Sequence, residues 1–319
     1  MKPQPTMTAF SIVLAASLMG LMPESQESQE NPEEATETAT LIFTGDILLD
    51  RGVRTAIEAH GADRLFSETV DSVLRLGTVV VGNLECPATT IKSPVQKRFI
   101  FRGKPQWLRA LKRHGFTHLN LANNHAIDQG RQGLMDTRKN IVEAGMTPVG
   151  AGATMAEASE PVLLCRRPRA VWLVASLRLA LENFAYLPQR PCVSQEPMDS
   201  LLARISRIKR RDPAAVVLVS LHWGGEHTLQ PVARQRMEAR RLIAAGADAL
   251  ICHHTHTLQT IEAYRGHDIY YSIGNFIFDQ QKPLNTKAVM VKVEVSKDHV
   301  KTTPVPIRIN HCVPHIIHN

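Results

Sequence analysis

From residue 41 onward, short apolar runs rich in β-branched residues recur, and each gives way abruptly to polar side chains able to bind metal. Leu41-Ile42-Phe43-Thr44 leads into Gly45-Asp46, and Val79-Val80-Val81 into Gly82-Asn83-Leu84-Glu85. His118–Ala122 leads into Asn123-Asn124-His125, Val216–Leu221 into His222-Trp223-Gly224, and Ala249–Cys252 into His253-His254-Thr255-His256. Unbroken runs of this kind predict strands buried on both faces. Helical spacing falls between them: Leu201, Leu202, Ile205 and Ile208 within 198–211, Leu134, Ile141 and Val142 ending near Gly145, and a third stretch over 232–245 ending at Gly246. Strands alternating with helices predict a largely parallel sheet whose functional groups gather at the carboxyl ends of the strands. Residues 288–295 and 300–309 predict a final antiparallel pair joined at Lys297-Asp298, with Pro304 and Pro306 placing the second strand at an edge.

The start of the chain has a different pattern. After Lys2, an apolar run from Ala9 to Met22 is short for a spanning helix and suits a signal-peptide core. Residues 23–40 are acidic and aperiodic, as in a linker. The expected organisation is a signal peptide or signal anchor over 1–22, an acidic disordered linker over 23–40, and one body over 41–319. The expected location is exported: periplasmic or otherwise extracytoplasmic, with the apolar segment either cleaved or kept as an anchor.

Composition narrows the body. Apolar residues make up 44% and aromatic residues only 5%, so Val, Leu, Ile and Ala must build the core. That excludes collagen-like, disordered and multispanning chains. The net charge of +7 hides an acidic leader: Lys2 stands against six glutamates in residues 1–40, leaving +12 on residues 41–319. A body this basic draws anions. No zinc-finger spacing or aromatic RNA-binding signature accompanies the charge, so a specific nucleic-acid partner is not expected. The five cysteines are too scattered for a disulfide scaffold or a cysteine zinc site, although one bridge, Cys165 to Cys192, stays open in an oxidising compartment.

Singly, each polar strand end has a bland reading: Gly-Asp as a turn, His222 as a hydrogen-bonded core histidine, Asn124-His125 as a helix cap. Their joint occurrence at five successive strand ends is what points to one polynuclear metal site. Carboxylates, imidazoles and an amide oxygen suit Mn, Zn or Fe, whereas an all-oxygen set favours Mg or Ca. In an extended segment His254 and His256 would project to the same side and His253 to the other, leaving His253 structural.

The segments TGDILLDRG (44–52), GNLECP (82–87), NLANNHAIDQG (120–130), LHWGGEH (221–227), HHTHTLQTIE (253–262) and IYYSIGNFIFDQ (269–280) resemble the successive signatures of the CapA / PgsA-type capsule (poly-γ-glutamate) synthesis family. That family lies in the calcineurin-like metallophosphoesterase superfamily. The resemblance implies an α/β four-layer αββα sandwich. Motif by motif, it implies Asp46 as first carboxylate, Glu85 as the bridging one, Asn124, His222 and His254 completing one metal, and His256 serving the other. It makes His125 the uncoordinated acid, oriented by Asp128. Arg51, Glu226 and Asn275 would contact substrate or brace the site, and Asn83 would brace Glu85. Leu48 departs from the superfamily's D-x-H, which leaves one tight metal and a second weak or absent one. Cys252, Thr255 and His227 are further departures.

The implied function is capsule or poly-γ-glutamate biosynthesis at the cell envelope, acting on or with an anionic polymer or phosphate-containing substrate, with or without an envelope complex. The alternatives are a general metallophosphoesterase hydrolysing phosphate mono- or diesters, and a non-catalytic anion-binding scaffold. Enzymatic activity is left open, with a metal-dependent hydrolase as the candidate.

Overall fold

The computed structural model describes residues 38–181 and 186–317. The apolar run over 1–22 and nearly all of the acidic stretch lie outside the described residues. The chain begins with β1 (Ala39–Ile47), α1 (Arg51–His60), α2 (Glu68–Leu74), β2 (Val79–Leu84), α3 (Leu108–Arg113) and β3 (His118–Asn120). It continues through α4 (Gly130–Glu143), β4 (Thr147–Val149), β5 (Ala151–Gly152), α5 (Met155–Ala158), β6 (Val162–Cys165), β7 (Val171–Leu177) and β8 (Cys192–Val193). Next come α6 (Met198–Arg211), β9 (Val216–His222), α7 (Ala233–Ala244), β10 (Ala249–Ile251), β11 (Ile261–Tyr264) and β12 (His267–Tyr270). The last elements are β13 (Asn275–Ile277), β14 (Lys287–Val295), β15 (Val300–Asn310) and β16 (Val313–Ile316). No helix of the described residues is long and apolar enough to cross a membrane.

Two sheets carry the architecture. The first has the order β16-β15-β14-β1-β2-β3-β4, with β13 also paired to β1; the second has the order β11-β12-β10-β9-β7-β6. Alternation along each strand decides what packs where. On β1, Leu41 and Phe43 enter the core shared with Leu173, Val216, Leu218 and Ile251 of the second sheet, whereas Ile42 and Ile47 face the core beneath α1 to α4. On β9, Val216 and Leu218 face the first sheet, while Val217, Val219 and Leu221 meet Leu201 and Ile205 of α6 and Leu242 of α7. Three cores therefore separate four layers, helix–sheet–sheet–helix. This is the αββα sandwich, and both faces of each central strand are dry.

Helix α6 follows the predicted boundaries: Leu201 and Ile205 are its buried stripe, and Lys209, Arg210 and Arg211 complement the dipole of its last turn. Three expectations need correction. The linker ends earlier than residue 40, because Ala39 and Thr40 already pair with Val295 and Glu294 of β14, and Ala39 is buried. Val142 is 60% exposed and lies off the packed stripe of α4, whose buried apolar residues are Leu134 and Ile141. β15 is an edge strand only in part: Ile307–Asn310 pairs with β16 and the Pro306 carbonyl accepts from Ile317 N–H, while Pro304 falls in the half that has β14 alone. None of the five cysteines is in a disulfide; Cys165 ends β6 in the second sheet, and Cys192 opens β8 in a separate ribbon with β5.

One backbone crossing sets the position of the first strand end. β14 pairs with β1 over Ala39–Phe43, and β13 then replaces it, with Asp46 opposite Asn275. At the changeover Asp46 N–H donates to the Gly274 carbonyl at 3.1 Å. A Cβ on Gly45 would stand 2.1 Å from that same oxygen, so the two chains can meet only if residue 45 has no side chain. Gly45→Ala is therefore expected to cost about 3 kcal/mol or more of unfolding free energy. Chemical denaturation measures it, and a loss under about 0.5 kcal/mol would mean the crossing is not tight.

Candidate metal centre

The strand ends converge. Asp46 closes β1 and Glu85 follows β2; Asn123, Asn124 and His125 follow β3; His222 ends β9; His253, His254 and His256 follow β10. All of these except Asn124 are buried, and Asp46, Glu85 and His222 are wholly so. Two sets of donor atoms lie close enough to share an ion: Glu85 with His222 and His254, and Asp46 with Glu85 and His256. Glu85 belongs to both.

Around His222 Nε2, the Asn124 Oδ1 lies at 2.8 Å, His254 Nδ1 at 3.1 Å and Glu85 Oε1 at 3.6 Å. Ligand atoms about 2.1 Å from one ion stand about 3.0–3.4 Å apart at the edges of its coordination polyhedron, so this spacing suits a shared cation. One imidazole proton could satisfy only one of these neighbours. On the other side, His256 Nδ1 lies 3.3 Å from Asp46 Oδ2, and His256 Nε2 lies 3.8 Å from Glu85 Oε1.

The decisive feature is what the carboxylates lack. Both oxygens of Glu85 and Oδ2 of Asp46 are buried with no hydrogen-bond partner among the described residues, Asp46 Oδ2 having only the ion-pair approach of His256. Buried anionic oxygens left unpaired are costly, so native proteins pair them or give them a cation. The residues present therefore fit a divalent metal.

The charge states agree. Burial holds His222 well below the usual imidazole value, with the neighbouring histidines adding to it, and it pulls His254 down to about 3. Both rings thus present lone pairs at neutral pH. Glu85 is pushed well up by burial and then by Asp46, whereas Asp46 is held down by His256, His253 and Asn83 despite its burial. His256 goes the other way: the Glu85 and Asp46 carboxylates overcome burial and raise it to about 9.

A network of amides fixes these groups. Asn83 Nδ2 donates to Asp46 Oδ1 at 2.7 Å, so Asn83 braces Asp46 and not Glu85 as expected from sequence. Asn83 Oδ1 in turn accepts from Asn123 Nδ2 at 3.2 Å, and Asn123 Oδ1 accepts from the backbone N–H of His125 and Ala126. Asn275 Oδ1 lies 2.9 Å from His256 Nδ1, and Asn275 Nδ2 donates to Gln280 and to the Asn285 carbonyl. His125 Nδ1 lies 2.8 Å from Asp128 Oδ2. His253 is structural: its Nε2 lies 3.2 Å from the Thr44 carbonyl and its Nδ1 3.4 Å from Ser220 Oγ.

The route by which His254 and His256 reach the centre differs from the extended segment expected. Both have positive φ, 98° and 55°, so a strained loop turns the two rings inward. Arg51 pairs with Asp279 and packs over Phe101 and Phe278, which ties α1 to the segment after β13; those two rings in turn pack against His125 and His256. Glu226 lines a cleft of about 220 Å³ with Lys97, Asn124, Leu179, Ala180 and His254. Leu48 is wholly buried in the apolar core beneath the helices, and Cys252 in the core against α6 and α7.

Residues 40–280 match the bacterial capsule synthesis protein family PGA_cap. The chain belongs to that family. It is 33% identical over 276 residues to the PGA biosynthesis protein CapA of Bacillus subtilis, covering 85% of this chain and 72% of that one. It is 34% identical over 251 residues to the capsule biosynthesis protein CapA of Bacillus anthracis, covering 76% of this chain and 61% of that relative's length. Among solved structures it resembles the sulfate thiohydrolase SoxB of Thermus thermophilus, with a TM-score of 0.48 and 10% identity over 84% of this chain and 56% of that one.

Two residues of this PGA_cap chain's site, Lys97 and Asn285, escape the sequence pattern because neither follows an apolar run; Asn123 does follow one, but the pattern gave it no role. Asn285 donates to the His256 carbonyl at 2.8 Å and touches His227.

The raised His256 makes cation uptake a proton exchange. A metal taken up between Asp46, Glu85 and His256 must displace the His256 proton, whereas His222 and His254 need lose none at neutral pH; any proton that the raised Glu85 holds must leave on either side. Uptake at the His256 side should therefore tighten the more steeply as pH rises from 7 toward 9, with the greater proton release. Calorimetric titration with Mn²⁺ or Zn²⁺ in buffers of differing ionisation enthalpy measures both; no proton release at pH 7 would contradict the assignment.

Proposed function

We propose that this protein works in the synthesis of a capsule polymer such as poly-γ-glutamate, at the cell envelope, through a metal-dependent phosphoesterase-like site. The observation that carries the reading is the set of buried carboxylate oxygens of Asp46 and Glu85 with no hydrogen bond among the described residues, gathered with the His222, His254 and His256 rings. It occurs in a chain whose relatives are a PGA biosynthesis protein and a capsule biosynthesis protein. The basic body suits an acidic polymer or a phosphate-containing substrate. The apolar start of the sequence supports export, with or without anchoring.

In this reading Asn124, His222, His254 and Glu85 hold one tight metal, of the Mn, Zn or Fe type, and Asp46, Glu85 and His256 hold a second, weaker one. Leu48 supports the asymmetry, since an apolar side chain stands where the superfamily has another ligand. The metal supplies Lewis-acid polarisation of a phosphoryl or acyl oxygen. The protein's own part is proton handling and orientation. Asp128 holds the Nδ1 edge of His125, leaving Nε2 as the edge that exchanges a proton with a leaving group. Asn275 and Asn83 keep His256 and Asp46 from rotating, the outer-shell task that sets metal affinity.

His222→Ala or His254→Ala is expected to abolish tight metal uptake, read by elemental analysis of the purified protein. His125→Ala should leave metal content unchanged and lower turnover by about 10²–10⁴-fold on whichever phosphate ester or γ-glutamyl substrate the wild type processes. A wild-type protein that takes up no Mn or Zn, and gains no thermal stability from either, would remove the mechanism.

A further inference from the structure

The cleft beside the proposed metal centre contains a cation that none of the sequence motifs supplies. Lys97 sits in the loop between β2 and α3, and its side chain is only 6% exposed. Its ammonium lies 2.6 Å from Asp128 Oδ1 and donates to the Asn124 carbonyl at 2.9 Å. A lysine ammonium has three N–H groups. One is given to the Asn124 carbonyl, the ammonium is ion-paired to Asp128, and the residue lines the cleft that Asn124 and His254 also line.

A purely structural account explains the pair with Asp128 but leaves a positive charge at the cleft wall next to a candidate metal ligand. Lys97 would lie there beside any oxyanion that approached the His254 and Asn124 side. Burial makes such a contact worth more than at a surface, because a charged hydrogen bond out of water is both stronger and better oriented. Arg51, the other basic residue of the motifs, is committed to Asp279 outside this wall. Glu226, on the same cleft, is an acceptor and cannot take an anion.

Resting on the reading of the site as a metal centre, we infer that Lys97 is the anion anchor of the cleft. An N–H not given to the Asn124 carbonyl donates to one oxygen of a substrate phosphate or carboxylate and holds the group against the metal-binding residues. A cleft of about 220 Å³ has room for one such group and its immediate attachment, not for a folded polymer. The recognised unit is therefore a single oxyanion of a longer chain or ester.

The test uses the full-length protein loaded with Mn²⁺. Metal content of the wild type is measured first and judges the metal centre by itself. Binding is then titrated with inorganic phosphate and, separately, with γ-glutamylglutamate, for wild type, Lys97→Met and Lys97→Gln. Lys97→Gln keeps a donor for the Asn124 carbonyl and serves if Lys97→Met does not fold. The expected result is unchanged metal content with affinity for the preferred anion weakened about 10- to 100-fold, the usual worth of a charge-assisted hydrogen bond. The arm that weakens identifies the oxyanion as phosphate or carboxylate. Equal affinity in wild type and Lys97→Gln would overturn the inference. So would loss of metal together with anion binding, which would make Lys97 a support for Asn124 alone.

Discussion

Two carboxylates that cannot both be left alone govern this fold. Asp46 and Glu85 are wholly buried, on neighbouring strands, with three of their four oxygens lacking a hydrogen bond. Removing one carboxylate from water costs several kcal/mol even after relaxation, and placing a second beside it adds repulsion. Burial first, and then the neighbouring Asp46, raise the proton affinity of Glu85. Such an arrangement persists only if the surrounding structure is stable enough to hold it and something cationic offsets it. The three dry cores provide the first. His256, raised by the same two carboxylates, provides the second in the protein alone, and a metal would provide it better.

That constraint explains the amide network. Asparagine can donate and accept at once without adding charge, so a chain of asparagines can orient carboxylates without altering the balance the site depends on. Asn83 does so for Asp46, Asn123 for Asn83 and the His125 turn, and Asn275 for His256. The Gly45–Gly274 crossing belongs to the same logic, because it brings Asn275 into register with Asp46. Both sheets are needed: the first supplies the carboxylates and asparagines, and the second supplies His222 and the histidine loop.

Much of this could be read from sequence because strands buried on both faces must be continuous apolar runs, and polar residues ending such a run must sit at its carboxyl end. That reasoning placed Asp46, Glu85, Asn124, His222, His254 and His256 together before any coordinates. It failed where periodicity was the wrong guide. The His254–His256 segment is not extended, so alternation gave a sound grouping for an unsound reason. Asn83 was assigned to the neighbouring Glu85, yet its partner is Asp46 across the parallel ladder, a register no single strand reveals. Lys97 was invisible because its partners lie 27 and 31 positions away, in a loop with no hydrophobic period. β16 was missed because it is a four-residue strand with Pro314 and His315 in it, too short and polar to declare itself.

The two halves of the centre differ in a way that orders their filling. On the His222 side the rings are already neutral, since burial and the neighbouring histidines disfavour positive charge, and an arriving cation displaces no ring proton there, although it meets the raised Glu85. On the His256 side the two carboxylates have already captured a proton on the imidazole, and a cation must expel it. A cation at Glu85 would partly neutralise the shared carboxylate and weaken the hold on the His256 proton, while repelling a second cation beside it. The two effects oppose each other, and both pass through the one carboxylate that the two sets of donors share.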